Sequence, residues 1–181
     1  MTVSDPVTEA MSRAGKGTEA TTDAGNNQPL PWSEATARFS QGGWFWLATV
    51  RPDGSPHVMP ILAAWADPVL YVVSKDSARK SRNLAAENRC VLTKDAGDLH
   101  LVIESHARRL EDRDELIRAS SAFERVYGWS TSVAGDQLDA EFGAPTSGGP
   151  PYAVFEITPI TAFGFPTDGE TTTPTRWRFD D

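Results

Sequence analysis

A chain of 181 residues with 39% hydrophobic content and six Trp is long enough to bury a core and short enough for one domain. Its net charge of -8 and pI near 4.9 argue against a general nucleic-acid binder, because gripping a phosphate backbone needs a broad positive surface. Cys90 is the only cysteine, so there is no internal disulfide and no thiolate zinc site, and a buried free thiol in a reducing compartment is expected. No window approaches the roughly 18 apolar residues of a membrane helix and no apolar signal core opens the chain, so the sequence predicts a cytoplasmic protein with no membrane or nucleic-acid partner.

Residues 1–30 are rich in Thr, Ala, Gly, Ser and Asn with few large apolar side chains, and read as a disordered tail ahead of a single domain over 31–181. A short helix is predicted from Trp32 to Gln41, with Ser33 as N-cap and Trp32 and Phe39 facing a core. Gly42-Gly43 ends it. WFWLATV then reads as a strand, Pro52-Asp53-Gly54 as a hairpin turn with Pro and Gly where a turn wants them, and Ser55 to Trp65 as the return strand. Val69 to Val73 is a third strand of the same meander.

The next segment, VSKDSARKSRN over Val73 to Asn83, is the most informative of the chain. A helix from about Ser77 to Glu87, capped by Asp76 or Ser77, carries Arg79, Lys80 and Arg82 in its first turns, with Leu84 as its main apolar contact. The window Lys75 to Lys94 holds six Lys or Arg against two acids, in a chain that is acidic overall. A helix start presents unpaired N–H groups and the positive end of the dipole, and cations added there favour a bound phosphate. A solvated basic face paired with nearby acids is the plain alternative.

Cys90 to Thr93 is a short strand. Asp98 to Leu110 is a long one, with Leu99, Leu101, Ile103, Ser105 and Ala107 alternating against a polar face, as suits a curved barrel wall. Asp112 to Val126 is an acidic helix with an apolar stripe of Leu116, Ile117, Phe123 and Val126, and Trp129 to Pro151 is irregular. Tyr152 to Phe165 returns to strand, interrupted by Pro159, and TRWRF over Thr175 to Phe179 is the last strand. Six or more strands with few helices, and no βαβ rhythm, predict a mainly β fold, an antiparallel barrel with a few peripheral α-helices.

The order of these pieces, WLATVRPDG, PHVMPI, LYVVS, SARKSRNLAA, a long strand and TRWRF, resembles the FMN-binding split β-barrel superfamily, the pyridoxamine 5′-phosphate oxidase-like proteins. Within it the sequence looks most like the flavin or deazaflavin (coenzyme F-420) oxidoreductases. The resemblance spans about Pro31 to Phe179 and implies an antiparallel, Greek-key-like split barrel and a homodimer whose cofactor lies between subunits. It implies that Arg79 and Lys80 grip the phosphate, with Ser74 as a hydroxyl before them and Arg82 reaching an extended anionic tail. It also implies that His57, Val58, Met59 and Pro60 lie along the isoalloxazine or deazaflavin ring, and that Trp177 and Arg178 reach the cofactor from the C-terminal segment.

The residues agree with that use. A planar ring wants a flat, mostly apolar strand, and phosphate wants fixed positive charge, which Arg79 supplies as a fork and Lys80 as a point. A metal site is not expected: His100 and His106 are six residues apart on one strand, roughly 20 Å, too far to share an ion. Trp44, Trp46 and Trp65 read as core or dimer interface, and Tyr127-Gly128-Trp129 as a pocket wall or a helix-end cluster. No catalytic triad, P-loop or paired-carboxylate motif stands out, so the catalytic residues stay unassigned and the chemistry falls to the cofactor. The resulting expectation is a reductase that uses reduced F-420 or FMN to pass hydride to a small organic acceptor. A flavin or haem carrier and a pyridoxamine 5′-phosphate oxidase-like enzyme are the alternatives.

Overall fold

The structure, a computed structural model, describes residues 5–11, 28–145, 148–167 and 173–179. In chain order the elements are β1 (Val7–Ala10), α1 (Trp32–Ser40), β2 (Trp44–Val50), β3 (Pro56–Ala66), β4 (Val69–Ser74), α2 (Arg79–Ala86), β5 (Arg89–Asp95), β6 (Leu99–Arg109), α3 (Arg113–Tyr127), β7 (Ser132–Ala134), β8 (Gln137–Asp139), β9 (Ala153–Pro166) and β10 (Thr175–Arg178). Six of these strands, in the order β9-β4-β3-β2-β5-β6, form an antiparallel sheet that closes into a barrel through β6–β9 pairing. The expected mainly β split barrel with peripheral helices is therefore what the chain forms.

Alternation builds the wall. Phe45, Leu47 and Thr49 of β2 point inward, as do Leu99, Leu101, Ile103, Ser105 and Ala107 of β6, and these join Leu70, Val72 and Phe155 in the barrel core. The expected interruption at Pro159 appears as a register shift: Ser105 pairs with Pro159 while Glu104 pairs with Thr161, leaving Ile160 as an extra residue that bends β9. β4 is buried on both faces because α3 covers its outside, where Tyr71 and Val73 pack with Leu116 and Phe123. Of the stripe read on α3, Leu116 and Phe123 are buried, whereas Ile117 is exposed.

Three local expectations are corrected. Ser33 is not the N-cap of α1: Pro31 takes that position, Ser33 lies inside the helix, and its carbonyl accepts from Thr36 Oγ1. Neither Asp76 nor Ser77 caps α2, which starts after Ala78 with no side-chain cap, because the Asp76 carboxylate is held by Arg109 and Gln137. The tail over 1–30 is not uniformly disordered. Val7–Ala10 adds a strand to β10, where Glu9 is clamped between Arg176 and Arg178, and Leu30 is tied to Thr175. Residues 1–4 and 12–27 of that tail lie outside the described residues.

Among the described residues no helix is long and apolar enough to cross a membrane. Cys90 is a free, buried thiol whose pKa burial pushes up to about 12.

Candidate functional site

The β2–β3 hairpin turns at Pro52-Asp53-Gly54, where Gly54 has φ +82° and the Asp53 carboxylate accepts from both the Ser55 amide and its hydroxyl. From there residues 56–62 of β3 pair with the whole length of β2, from Pro56 opposite Val50 to Leu62 opposite Trp44. β4, its other neighbour, reaches only Ala63–Ala66. Residues 56–62 therefore keep one backbone edge unpaired among the described residues. Two prolines, Pro56 and Pro60, sit in that stretch, as an edge position tolerates. The stretch is open and mostly apolar: Val58 is 51% and Met59 42% exposed, with His57 and Pro60 half-buried.

α2 starts next to this edge. Its first turn contains no acid and no side-chain cap, in contrast to α3, where Asp112 accepts from the amides of Asp114 and Glu115 and acids fill the first turn. Arg79 is exposed at the helix start. Lys80 is only 5% exposed, forms no hydrogen bond or ion pair among the described residues, and has its pKa lowered by burial alone. Ser74, which ends β4, is buried with its Oγ unpartnered. A lysine with a largely buried stem and no partner for its ammonium, a buried free hydroxyl and a helix start without a side-chain cap are each the kind of group that an anion relieves.

His57 joins the helix and the strand edge. Its ring pKa is lowered first by burial and then by the charges of Arg51, Arg79 and Lys80, which places those three cations around it. Thr49, facing it across β2–β3, accepts from Asn83 Nδ2 at 2.9 Å, so α2 is bonded to the barrel wall beneath the site. Thr49, Arg51 and Asn83 are not among the site residues expected from the sequence. The available signal was polarity at core positions: Thr49 breaks the inward run Phe45, Leu47, and Asn83 shares a helix face with Lys80 and Leu84.

Of the expected cofactor residues, the structure thus gathers His57, Arg79 and Lys80, with Val58, Met59 and Pro60 on the same strand and Ser74 at the end of β4. Arg82 stands apart. It lines a cavity of about 360 Å³ with Asp76, Ser81, Ala107, Arg109 and Phe155, between α2 and strands β6 and β9. Trp177 is corrected: it is fully buried, packs on Trp32 at 5.4 Å between ring centroids, and donates through Nε1 to the Leu30 carbonyl, so it is a core residue with no face for a ligand. Arg178 is exposed but engaged with Glu9. Trp65 is also core, whereas Trp44 and Trp46 stand on the outside of the barrel, 54% and 52% exposed.

Tyr127 and Trp129 belong to a helix-end cluster. The Tyr127 hydroxyl shares its one hydrogen between the carbonyls of Ala63 at 2.9 Å and Gly43 at 3.0 Å, with burial raising its pKa to about 12, and Trp129 packs on Phe123 and Tyr152.

Solved structures share this architecture at low identity. A conserved hypothetical protein of Mycobacterium tuberculosis superposes with TM-score 0.58 at 18% identity, covering 76% of this chain and 85% of that one. A pyridoxamine 5′-phosphate oxidase-related, FMN-binding protein of Nostoc punctiforme gives 0.55 at 14%, covering 84% and 93%. A haem-binding protein of Mycobacterium smegmatis gives 0.50 at 16%, covering 71% and 53%. A comparison with curated protein sequences finds no match. The sequence profile described as pyridoxamine 5′-phosphate oxidase matches residues 32–164, from the start of α1 through most of β9 and so across the whole barrel and the α2 site; the chain belongs to that family.

Proposed function

We propose that the chain is a flavin- or deazaflavin-dependent reductase: it binds FMN or coenzyme F-420 with the phosphate at the start of α2 and the ring along residues 56–62 of β3, and reduces a small organic acceptor. The observation that carries the reading is Lys80, a buried lysine without a partner among the described residues, next to a helix start with no side-chain cap. The orphaned Ser74 Oγ fits the same anion. Met59, on the face of β3 that His57 shares, supplies an apolar surface for a planar ring, and the free edge of β3 supplies backbone donors and acceptors for its polar rim.

When bound, the cofactor supplies the hydride. The protein holds its phosphate with Arg79 and Lys80, orients its ring against β3 and keeps His57 neutral beside it. F-420 rather than FMN is the reading in which Arg82, lining the separate cavity between α2, β6 and β9, meets part of a longer anionic tail.

The exposed stripe of Trp44, Trp46 and Val58 on the outer barrel face fits a second copy of the chain, so the active form is a cytoplasmic homodimer with Arg178 contributed near the shared groove. The small organic acceptor stacks over the ring.

Titration of the purified protein with FMN and with F-420, followed by ligand fluorescence, tests the reading. Tight binding of either that weakens at least about tenfold in Lys80→Ala supports the phosphate site. Absence of binding to both sinks it. The fold shared with a haem-binding protein supports a second reading, a flavin or haem carrier. Oxidation of the reduced cofactor by added acceptors, at a rate above the protein-free control, separates enzyme from carrier, and oxidation of pyridoxamine 5′-phosphate tests the family's namesake reaction.

A further inference from the structure

Arg51 opens the turn of the β2–β3 hairpin, two positions beyond Thr49, and its amide donates to the Ser55 carbonyl across the hairpin at 2.9 Å. Strand alternation places its side chain on the face of the hairpin that Thr49 and His57 share, the face on which α2 packs through the Asn83–Thr49 bond. Two elements therefore bring cations to this face: α2 brings Arg79 and Lys80, and the hairpin brings Arg51. After burial, which is the first cause, the charges that lower the His57 pKa are Arg51, Arg79 and Lys80, in that order.

The Arg51 guanidinium is anchored through one nitrogen. Its Nη1 donates to the Ser55 hydroxyl at 3.1 Å and to the Pro56 carbonyl at 3.0 Å, while Nε and Nη2 have no hydrogen-bond partner among the described residues. Those two groups form the fork with which an arginine grips two oxygens of one anion. Arg89 uses this fork on the Glu87 carboxylate, Nε at 3.0 Å and Nη2 at 2.8 Å, and Arg38 turns the same two groups to Asp98. Arg51 has no such carboxylate because Asp53, the one acid of the hairpin, is engaged elsewhere. Its Oδ1 takes the Ser55 amide at 2.9 Å and the Ser55 hydroxyl at 2.6 Å. These bonds are the first causes of its lowered pKa, and Arg51 acts on it only through space, so Asp53 offsets part of the Arg51 charge without occupying the fork.

We infer that Arg51 is a third binding residue for the anionic end of the ligand, its Nε and Nη2 taking two oxygens of the phosphate that Arg79 and Lys80 hold from α2. The place of the ligand rests on the cofactor reading above; the role of Arg51 rests on its own contacts. The consequence is that the phosphate is gripped from two elements at once, by a planar fork on the hairpin and by the helix pair, and that the hairpin itself selects a phosphorylated ligand over an unphosphorylated one.

The test compares FMN with riboflavin, which lacks only the phosphate, by quenching of flavin fluorescence in the wild type, Arg51→Gln and Arg51→Lys. Arg51→Gln is expected to weaken FMN at least about tenfold and to leave riboflavin unchanged, with Arg51→Lys between, because an ammonium keeps the charge and loses the fork. FMN held as tightly by Arg51→Gln as by the wild type overturns the inference. So does an equal loss for FMN and riboflavin, which is what a distorted hairpin gives.

A second arm needs no ring: the rise in melting temperature with inorganic phosphate, at ionic strength held constant with chloride. The rise is expected in the wild type and lost in Arg51→Gln, and a rise that Arg51→Gln keeps in full overturns the inference. Wild-type protein that binds no FMN yet is stabilised by phosphate through Arg51 overturns the cofactor reading and leaves the anion role of Arg51 standing. Wild-type protein that responds to neither overturns both.

Discussion

The side-chain amide of Asn83 on α2 donates to the hydroxyl of Thr49 on β2 across 2.9 Å, with both residues sealed from solvent. This bond spans 34 positions of sequence and fixes the helix that carries Arg79 and Lys80 against the strand that faces His57. It ties the start of α2 to the hairpin that carries the open stretch of β3.

Removing the amide leaves Thr49 short of a donor in a dry site. Asn83→Ala is expected to lower stability by about 1–3 kcal/mol, measured by urea unfolding with unchanged slope. It is also expected to weaken FMN or F-420 binding although Asn83 offers no charge to the ligand, because the helix start is no longer held in place.

Lys80 is expected to trade stability for binding. Burial lowers its pKa below that of a free lysine, so the unfolded chain holds this proton more tightly than the native protein does. The cost is fully present below the native-state pKa and is relieved as pH rises from there towards the usual lysine value. Lys80→Met, which keeps the stem and removes the charge, should raise the melting temperature of the ligand-free protein at neutral pH and abolish the further rise that FMN gives the wild type. A melting temperature lowered by Lys80→Met would show that the ammonium has a stabilising partner.

His57 titrates below the ordinary histidine range, with burial as the first cause and Arg51, Arg79 and Lys80 as the others. Between its native pKa and the value near 6.5 of an unfolded histidine, the unfolded chain binds more protons, so its contribution to stability is present above that range and is lost as pH falls through it. His57→Gln should therefore flatten the fall in melting temperature on acidification from about pH 6.5, measured side by side with the wild type. An unchanged slope would mean the ring is not held neutral.

Trp177 and Gly164 form a packing pair whose disruption should be felt in stability rather than in binding. A Cβ on Gly164 would sit 2.6 Å from the edge of the fully buried Trp177 ring, which is boxed in by Trp32 and bonded to the Leu30 carbonyl. Gly164→Ala should cost about 1–3 kcal/mol by overpacking, and Trp177→Ala about 3–5 kcal/mol by leaving a cavity. Cofactor dissociation constants, measured on the folded fraction, should hardly change in Gly164→Ala. A selective loss of binding would return Trp177 to the site.

The sequence by itself determined the strands and the hairpin, because alternation along β2 and β6 and the Pro-Asp-Gly turn are local properties that need no partner to be read. It also determined the basic start of α2. What the tertiary structure decided were the pairings between distant segments. Trp177 was expected at the cofactor from the resemblance of the TRWRF segment, yet alternation on β10 sends Arg176 and Arg178 outward and the indole into the core, where it meets Leu30 from 147 positions away. Asp76 looked like a cap until Arg109, 33 residues on, claimed its carboxylate and left the start of α2 without a side-chain cap. Thr49 and Asn83 lie within the WLATVRPDG and SARKSRNLAA stretches, yet nothing local gives either a role; they became a pair only when barrel closure buried both, because a buried hydroxyl and a buried amide must find each other or go unsatisfied.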